Sequence, residues 1–284
     1  MKHIVDYTIN IRGRLMDLGH PQVMGILNCT PDSFFAGSRK QTEKEIADRA
    51  NQIVGEGGTI IDVGAFSTRP GANEVSEQEE MDRLRRALPI VRREQPDVAI
   101  SVDTYRPEVA QMVVEEYGAD IINDVSEGGL TGIVDTPLEQ TGDEYPAMFR
   151  MMGRLKVPYI LMSVQANIHD MLMNFSKEVQ QLRDLAVKDI ILDPGFGFGK
   201  TIDENYAVLA DMRKLEVMQL PILVGVSRKR MIHQLLDTDA NGALNGTVIV
   251  NTLAMMNGAG ILRVHDVKPT VEAVKIVEKL LENS

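Results

Sequence analysis

Eight short apolar runs in this 284-residue chain end in, or run directly into, side chains that can do chemistry. Asn28 closes VMGILN. Asp62 stands in TIIDVG, with Ser67, Thr68 and Arg69 just beyond it. Asp103 closes VAISVD, Asn123 and Asp124 stand in DIINDV, Ser163 and Gln165 follow PYILM, and Asp193 closes DIILD. Ser227, Arg228, Lys229 and Arg230 follow PILVGV, and Arg263, His265 and Asp266 sit at the end of GILRVH. A single polar residue at a strand end is ordinary, because a strand must stop somewhere. A chain in which nearly every run ends in a charged or amide group is less so. The acceptors of Asp103, Asn123 and Asp193 suit a heterocycle rich in N–H donors, such as an aminopyrimidinone edge. The two basic clusters suit a phosphate or diphosphate held by charge-assisted hydrogen bonds. The plainer reading of SRKR is a helix start, although cations there oppose the helix dipole. The amide oxygen of Asn28 is a hard donor of the kind Mg2+ takes, the rest of its shell coming from water and phosphate. Its plainer reading is a turn opening before Pro31.

GFGFGK, residues 195–200, poses a choice between a phosphate-binding glycine loop and a surface on which a flat ring lies. It lacks the spacing and the GK[ST] ending of a Walker loop and does not match GxGxxG. A flat ring stacked on Phe196, Phe198, Lys229 or Arg263 is the stronger reading. The five histidines form no HxH or HxxxH pattern, and one cysteine, Cys29, cannot build a zinc site. No Ser-His-Asp arrangement is proposed, and Cys29 has no histidine beside it in sequence to make it a nucleophile.

The elements that must position these residues follow from the runs themselves. They are nearly continuous in apolar character, as in parallel strands covered on both faces. Helical patterns separate most of them. Ser76 and Glu79 read as a capping box ahead of the stripe Met81, Leu84, Leu88 and Val91. Ile46, Ala50, Ile53 and Val54 form another stripe, ended by Gly57-Gly58, and Pro107 and Gly118 bracket a third helix. Eight strand–helix units predict an α/β fold, a (β/α)8 TIM barrel, over an open doubly wound sheet. No linker is visible, so residues 1–284 read as a single domain. Residues 4–18 read as a hairpin turning near Arg12-Gly13 that plugs the bottom of the barrel. Residues 128–145 carry no legible pattern. In such a barrel the chemistry sits at the C-terminal strand ends. A net charge of −11 argues against nucleic acid or a membrane surface as partner. No disulfide framework, signal peptide or membrane-length apolar run is visible, so a soluble cytoplasmic protein is expected.

These same residues carry a resemblance. MGILNCTPDSFFAGS and IIDVGAFSTRPGA resemble the first two signatures of the dihydropteroate synthase family, the folate-pathway enzymes that sulfonamides inhibit. SVDTYRPEVA, IINDV, ILDPGFGFGK, LVGVSRKRMI and RVHDV match further blocks in order, from about residue 23 to 267. The resemblance implies a (β/α)8 barrel, usually a homodimer, that joins 4-aminobenzoate to 6-hydroxymethyl-7,8-dihydropterin diphosphate. It implies Asn28 as a Mg2+ ligand. Asp103, Asn123, Asp193 and Lys229 would hold the pterin, with Gly225 in the same block as Lys229. Arg263 would stack on the pterin and, with His265, bind diphosphate. Thr68, Arg69 and Pro70 would belong to a loop closing over 4-aminobenzoate, and Phe198 would line that pocket. Asp103, Lys229, Arg263 and His265 are the catalytic set. Four positions depart from the family pattern: Phe66 stands where a carboxylate is common, Ser163 where histidine is, Arg230 where a serine that helps hold the aminobenzoate is, and Cys29 where valine is. The departures keep two alternatives in view: a pterin-binding paralogue with weak or no synthase activity, and a pterin-dependent methyltransferase on a related barrel. The basic corner and the STRPGA loop count against the second.

Overall fold

The computed structural model describes residues 7–29, 39–66, 75–129 and 145–283. Eight parallel strands close into a barrel in chain order: β3 (Gln22–Asn28), β4 (Ile60–Gly64), β5 (Ala99–Asp103), β6 (Ile121–Asp124), β7 (Tyr159–Met162), β8 (Ile190–Asp193), β9 (Ile222–Val224) and β10 (Ala259–Val264), which pairs back onto β3. All eight apolar runs are therefore strands, and the expected barrel forms. Helices alternate with them on the outside, which covers both faces of each strand and accounts for their unbroken apolar character.

The first of these helices, α1 (Arg39–Gly55), buries Ile46, Ala50 and Ile53 against the sheet. The next, α2 (Glu77–Glu94), buries Leu84, Leu88 and Val91 from the stripe read in the sequence. Only half of its expected capping box forms. Ser76 Oγ accepts the Glu79 N–H at 3.2 Å, but the Glu79 carboxylate turns to Arg83 one turn on instead of back to the cap. A nearby guanidinium outcompetes a neutral backbone N–H for a carboxylate. Pro107 opens α3 (Pro107–Glu115), as its lack of an N–H favours.

Before the barrel, β1 (Thr8–Ile11) and β2 (Arg14–Asp17) form an antiparallel hairpin that turns at Arg12-Gly13. Both turn residues have positive φ, 49° and 80°, the geometry of a two-residue hairpin loop. Ile9, Ile11 and Leu18 pack with Met24, Ile60, Ala99, Ile121, Ile160, Ile191, Leu223 and Ile261 as one buried cluster. That set holds one inward residue from each barrel strand, so the hairpin does plug the base.

Strand side chains alternate faces with period two. Two residues above that apolar layer, the inward positions are therefore Ile26, Asp62, Ser101, Asn123, Met162, Asp193, Gly225 and Arg263. Pairing register adds a row above it: Asn28 lies opposite Gly64, Gly64 opposite Asp103, and Asp103 opposite Asn123. One barrel interior thus changes from wholly apolar to strongly polar within one side-chain layer.

Candidate active site

Arg263, on β10, is the hub of the polar layer. Its Nε donates to Asp62 Oδ2 at 2.7 Å and its Nη2 to Asp103 Oδ2 at 2.9 Å. Asp62 Oδ2 also accepts from Asn123 Nδ2 at 3.4 Å. One oxygen on each of these three partners has no hydrogen-bond partner among the described residues: Asp62 Oδ1, Asp103 Oδ1 and Asn123 Oδ1. Buried acceptors left unpaired are costly, and each of these three oxygens can accept from a donor brought to it. Burial raises the Asp103 carboxyl to about 7; the Arg263 charge opposes that rise, and the nearby carboxylates of Asp62, Glu80 and Asp124 add to it.

Asp193 ends β8 nearby. Its Oδ1 accepts the Gly195 N–H at 2.8 Å; burial raises its pKa, and the charge of Lys229 pulls the other way. Burial lowers the Lys229 ammonium to about 8, partly offset by Asp193 and Asp103. Lys229 donates to the Phe196 carbonyl, and its Nζ lies 4.6 Å from the centre of the Phe198 ring. A cation over an aromatic face is attracted to it. The GFGFGK turn is thus a scaffold. A Cβ at Gly195, where φ is 65°, would meet the Ser163 carbonyl at 2.0 Å. Lys200 Nζ donates to the carbonyls of Gly195, Phe198 and Ser163 at 3.0, 3.3 and 3.3 Å, tying the turn to the end of β7. The ring partners divide: Phe198 is half-buried at the site, whereas Phe196 is fully buried in the core and offers no face for stacking.

At the basic corner, His265 Nδ1 lies 3.0 Å from Ser227 Oγ, which also accepts the His265 N–H at 3.2 Å. Arg228 is taken up by Asp266, with Nε and Nη2 each 2.8 Å from a carboxylate oxygen, and by the carbonyls of Ala240 and Asn241. Its fork therefore joins the loops after β9 and β10. Arg230 is exposed at the first position of the short helix α7 (Arg230–His233), the helix-opening alternative for that residue. Gly225 leaves bare backbone beside Arg263; a Cβ there would touch Arg263 Cβ at 3.8 Å.

Asn28 is half-buried at the end of β3, with its Oδ1 facing the Gly64 gap. One hard amide oxygen beside the basic corner fits a Mg2+ whose other ligands are phosphate oxygens and water. No group of three or more His, Cys, Asp or Glu among the described residues could hold a metal by itself. Cys29 is buried, and burial pushes its thiol up to about 12, which rules it out as a thiolate nucleophile near neutrality. Thr68, Arg69 and Pro70 lie outside the described residues.

Two of the departures from the family pattern are built into local packing. Phe66 stacks edge-on against Tyr105 at 5.1 Å; the Arg106 guanidinium lies 4.8 Å over the other ring and pairs with buried Glu80. Ser163 is buried between Asp193, whose carbonyl accepts the Ser163 N–H at 2.8 Å, and Lys200. Three residues to which the sequence assigns no role hold the site together: Asp62, Ser227 and Lys200. Only Asp62 carries a signal that could have placed it. Counting by two from Ile60 turns its carboxylate inward.

A family model described as "Pterin binding enzyme" matches residues 24–265. The dihydropteroate synthase of Escherichia coli strain K12 is 40% identical over 289 residues, covering 95% of each chain. The Yersinia pestis dihydropteroate synthase solved with a sulfonamide drug complex is 35% identical, with a TM-score of 0.83 over 98% of this chain and 100% of that one. The Xanthomonas albilineans dihydropteroate synthase solved with 4-aminobenzoic acid is 33% identical, with a TM-score of 0.82 over 97% and 98% of the two chains. An eight-stranded barrel with a polar mouth, matched in sequence along nearly its whole length, places this chain in the pterin-binding enzymes, among the dihydropteroate synthases.

Proposed function

We propose that this chain joins 4-aminobenzoate to 6-hydroxymethyl-7,8-dihydropterin diphosphate, forming 7,8-dihydropteroate and releasing diphosphate. One observation carries the reading: Asp62, Asp103 and Asn123, each with an unpaired acceptor oxygen, gather with Arg263 in the upper layer of a barrel whose last two strands run into cations. A pterin edge is rich in N–H donors, and a diphosphate needs the opposite charge. Asp103, Asn123 and Asp193 hold the pterin edge, with Lys229 and Phe198 beside it. Gly225 leaves room for Arg263 to lie over the ring. His265, set by Ser227, and Arg263 take the diphosphate. Thr68, Arg69 and Pro70 contribute to aminobenzoate binding, and Arg230, exposed at the start of α7, meets the aminobenzoate carboxylate at the rim of the site.

The chemistry follows from charge. The bond from the pterin methylene to the diphosphate oxygen breaks, its electron pair leaving with diphosphate. The aryl amine nitrogen forms the new bond to that carbon and loses a proton to water. Arg263 and His265 offset the charge that develops on the leaving group, and Asp103, when ionised, offsets the positive charge on the pterin. An aryl amine is neutral at pH 7, so no strong base is needed. Asn28 would hold a Mg2+ together with diphosphate oxygens, and such an ion would withdraw charge from the leaving group. Closure over the site keeps water from capturing the cation.

The same reading takes residues 1–284 as one cytoplasmic domain that works as a homodimer. Among the described residues, no helix is long and apolar enough to cross a membrane. Helices α8 (Leu244–Met256) and α9 (Val267–Leu281) show Ile249, Leu253, Ile276 and Leu280 to solvent at 47–71% exposure, an apolar face that a second copy would cover. The decisive experiment supplies dihydropterin diphosphate and Mg2+ with and without 4-aminobenzoate. Diphosphate release that requires 4-aminobenzoate, with dihydropteroate formed, establishes the synthase. Pterin binding without product assigns the chain to the non-condensing paralogue and makes Phe66, Ser163 and Arg230 the suspects.

A further inference from the structure

We infer that Asp62 is a positioning residue of this site: it tethers Arg263 and turns the Asn123 carbonyl toward the ligand. The inference rests on the pterin and diphosphate reading above.

Asp62 lies mid-strand on β4, fully buried, with Ile26 and Ser101 opposite it on the neighbouring strands. A carboxylate oxygen accepts hydrogen bonds and donates none. Its contact with Asn123 at 3.4 Å therefore selects the NH2 end of that amide. The two ends of an asparagine amide have nearly the same shape, so packing alone would not choose between them. With Asp62 present, the Asn123 oxygen is left on the other side without a partner, available to a ligand N–H.

The Arg263 guanidinium is held at two points of different kinds. Asp103 holds Nη2 and is itself partly exposed at 14%, so a bound pterin competes with Arg263 for it. Asp62 holds Nε and is fully buried. A ligand that takes Asp103 frees one end of the guanidinium while the bond from Nε to Asp62 keeps the other end in place. The tether thus lets one arginine release a carboxylate to the pterin and still present its terminal N–H groups to diphosphate.

Asp62 Oδ1 is also unpartnered, so direct contact with the ligand is the competing role, and the test must separate the two. The first arm needs no ligand. The Arg263 Nε–H resonance, assigned by its loss in Arg263→Lys, should exchange with water at least tenfold faster in Asp62→Ala than in the wild type. It should exchange faster, by a smaller factor, in Asp62→Asn. Thermal melts establish that each variant is folded, and the asparagine variant carries the arm if alanine is not tolerated. Unchanged Nε–H exchange in a folded Asp62 variant overturns the tether.

The second arm measures binding of inorganic diphosphate and of 6-hydroxymethylpterin by calorimetry. Asp62→Ala should weaken each about tenfold, the scale of one hydrogen bond to a charged group. Adding it to Arg263→Ala should cost no further diphosphate affinity, and adding it to Asn123→Ala should cost less pterin affinity than Asp62→Ala costs alone, the remainder being the part that acts through Arg263. Additive losses overturn positioning and make Asp62 a ligand contact. A wild-type protein that binds neither probe overturns the functional reading, while the exchange arm still decides whether Asp62 holds Arg263.

Discussion

The base and the mouth of this barrel are built on the same strands, two residues apart, and solve opposite problems. At the base every inward position is apolar, and the hairpin residues Ile9, Ile11 and Leu18 seal it. Nothing there awaits a partner. At the mouth the inward residues include Asp62, Asn123, Asp193 and Arg263, with Asp103 above them; Asp62, Asp103 and Asn123 each leave a buried oxygen unpaired. A carboxylate removed from water is costly unless it is paired. The base therefore supplies stability that the mouth draws on, and the mouth keeps acceptor oxygens open to an incoming donor. Sites of this kind break the rules that the rest of the fold obeys.

The sharpest way to break the comparison is to remove a mouth carboxylate. Asp193→Ala should cost pterin binding about a thousandfold, or roughly 4 kcal/mol, because a site built to hydrogen-bond N–H donors rejects a ligand strongly when an acceptor is lost. Its melting temperature should stay level or rise, since burial works against the Asp193 carboxylate in the folded state. Calorimetry with a pterin and a thermal melt on one preparation decide it. Wild-type pterin affinity would remove Asp193 from the site. Lost binding together with a lowered melting point would mean that mouth and base share one stabilising role.

How much of this was legible in the sequence follows the same division. The strands were readable because a strand covered on both faces must be apolar throughout, and the mouth residues because charge interrupts those runs at their ends. Asp62 was harder. It interrupts TIIDVG from within, and only counting alternate residues from Ile60 turns it inward. The partners of Arg228 could not be read at all, because Asp266 lies on a different loop and meets it only when the barrel closes. Phe196 was misplaced for a related reason. Alternation in GFGFGK suggested two exposed rings, but positive-φ turns at Gly195 and Gly197 send one ring into the core and leave the other at the site. Local patterns report which residues are apolar and where runs end. They do not report which distant group a side chain finds.

A change at the base should have the complementary effect. Ile9 is 1% exposed beneath the barrel. Ile9→Ala should cost about 3 kcal/mol of stability through lost burial and the cavity left behind. Turnover per folded molecule should be unchanged, because the polar layer above is positioned by the strands themselves. Denaturant unfolding alongside active-site titration checks this. A fall in turnover per active site would show that the hairpin does more than seal the base.

The smallest effect sharpens the comparison by adding a third solution to a buried carboxylate, a shared proton. Glu127, in the turn after β6, and Glu178, on α5 (Ile168–Asp184), are both buried, and each lies close enough to act on the other's proton. Burial and mutual repulsion raise Glu178 to about 9, and burial raises Glu127 to about 7. The groups facing the pair are Ser163, Lys200, Lys177, Asp124 and Tyr159, and the two lysines do not offset it fully. In the unfolded chain a glutamate loses its proton near pH 4.3. Between that pH and about 9 the folded protein therefore holds more protons than the unfolded chain, and its stability falls as pH rises. Glu178→Gln keeps a donor toward Glu127 without titrating. It should reduce the loss of stability between pH 8 and 9 by about 1 kcal/mol, the scale of one pKa unit. Equal pH slopes in the two proteins would mean that the pair does not carry its proton into this range. A flattened slope would show that this barrel meets buried carboxylates with cations where a ligand binds and with a proton where none does.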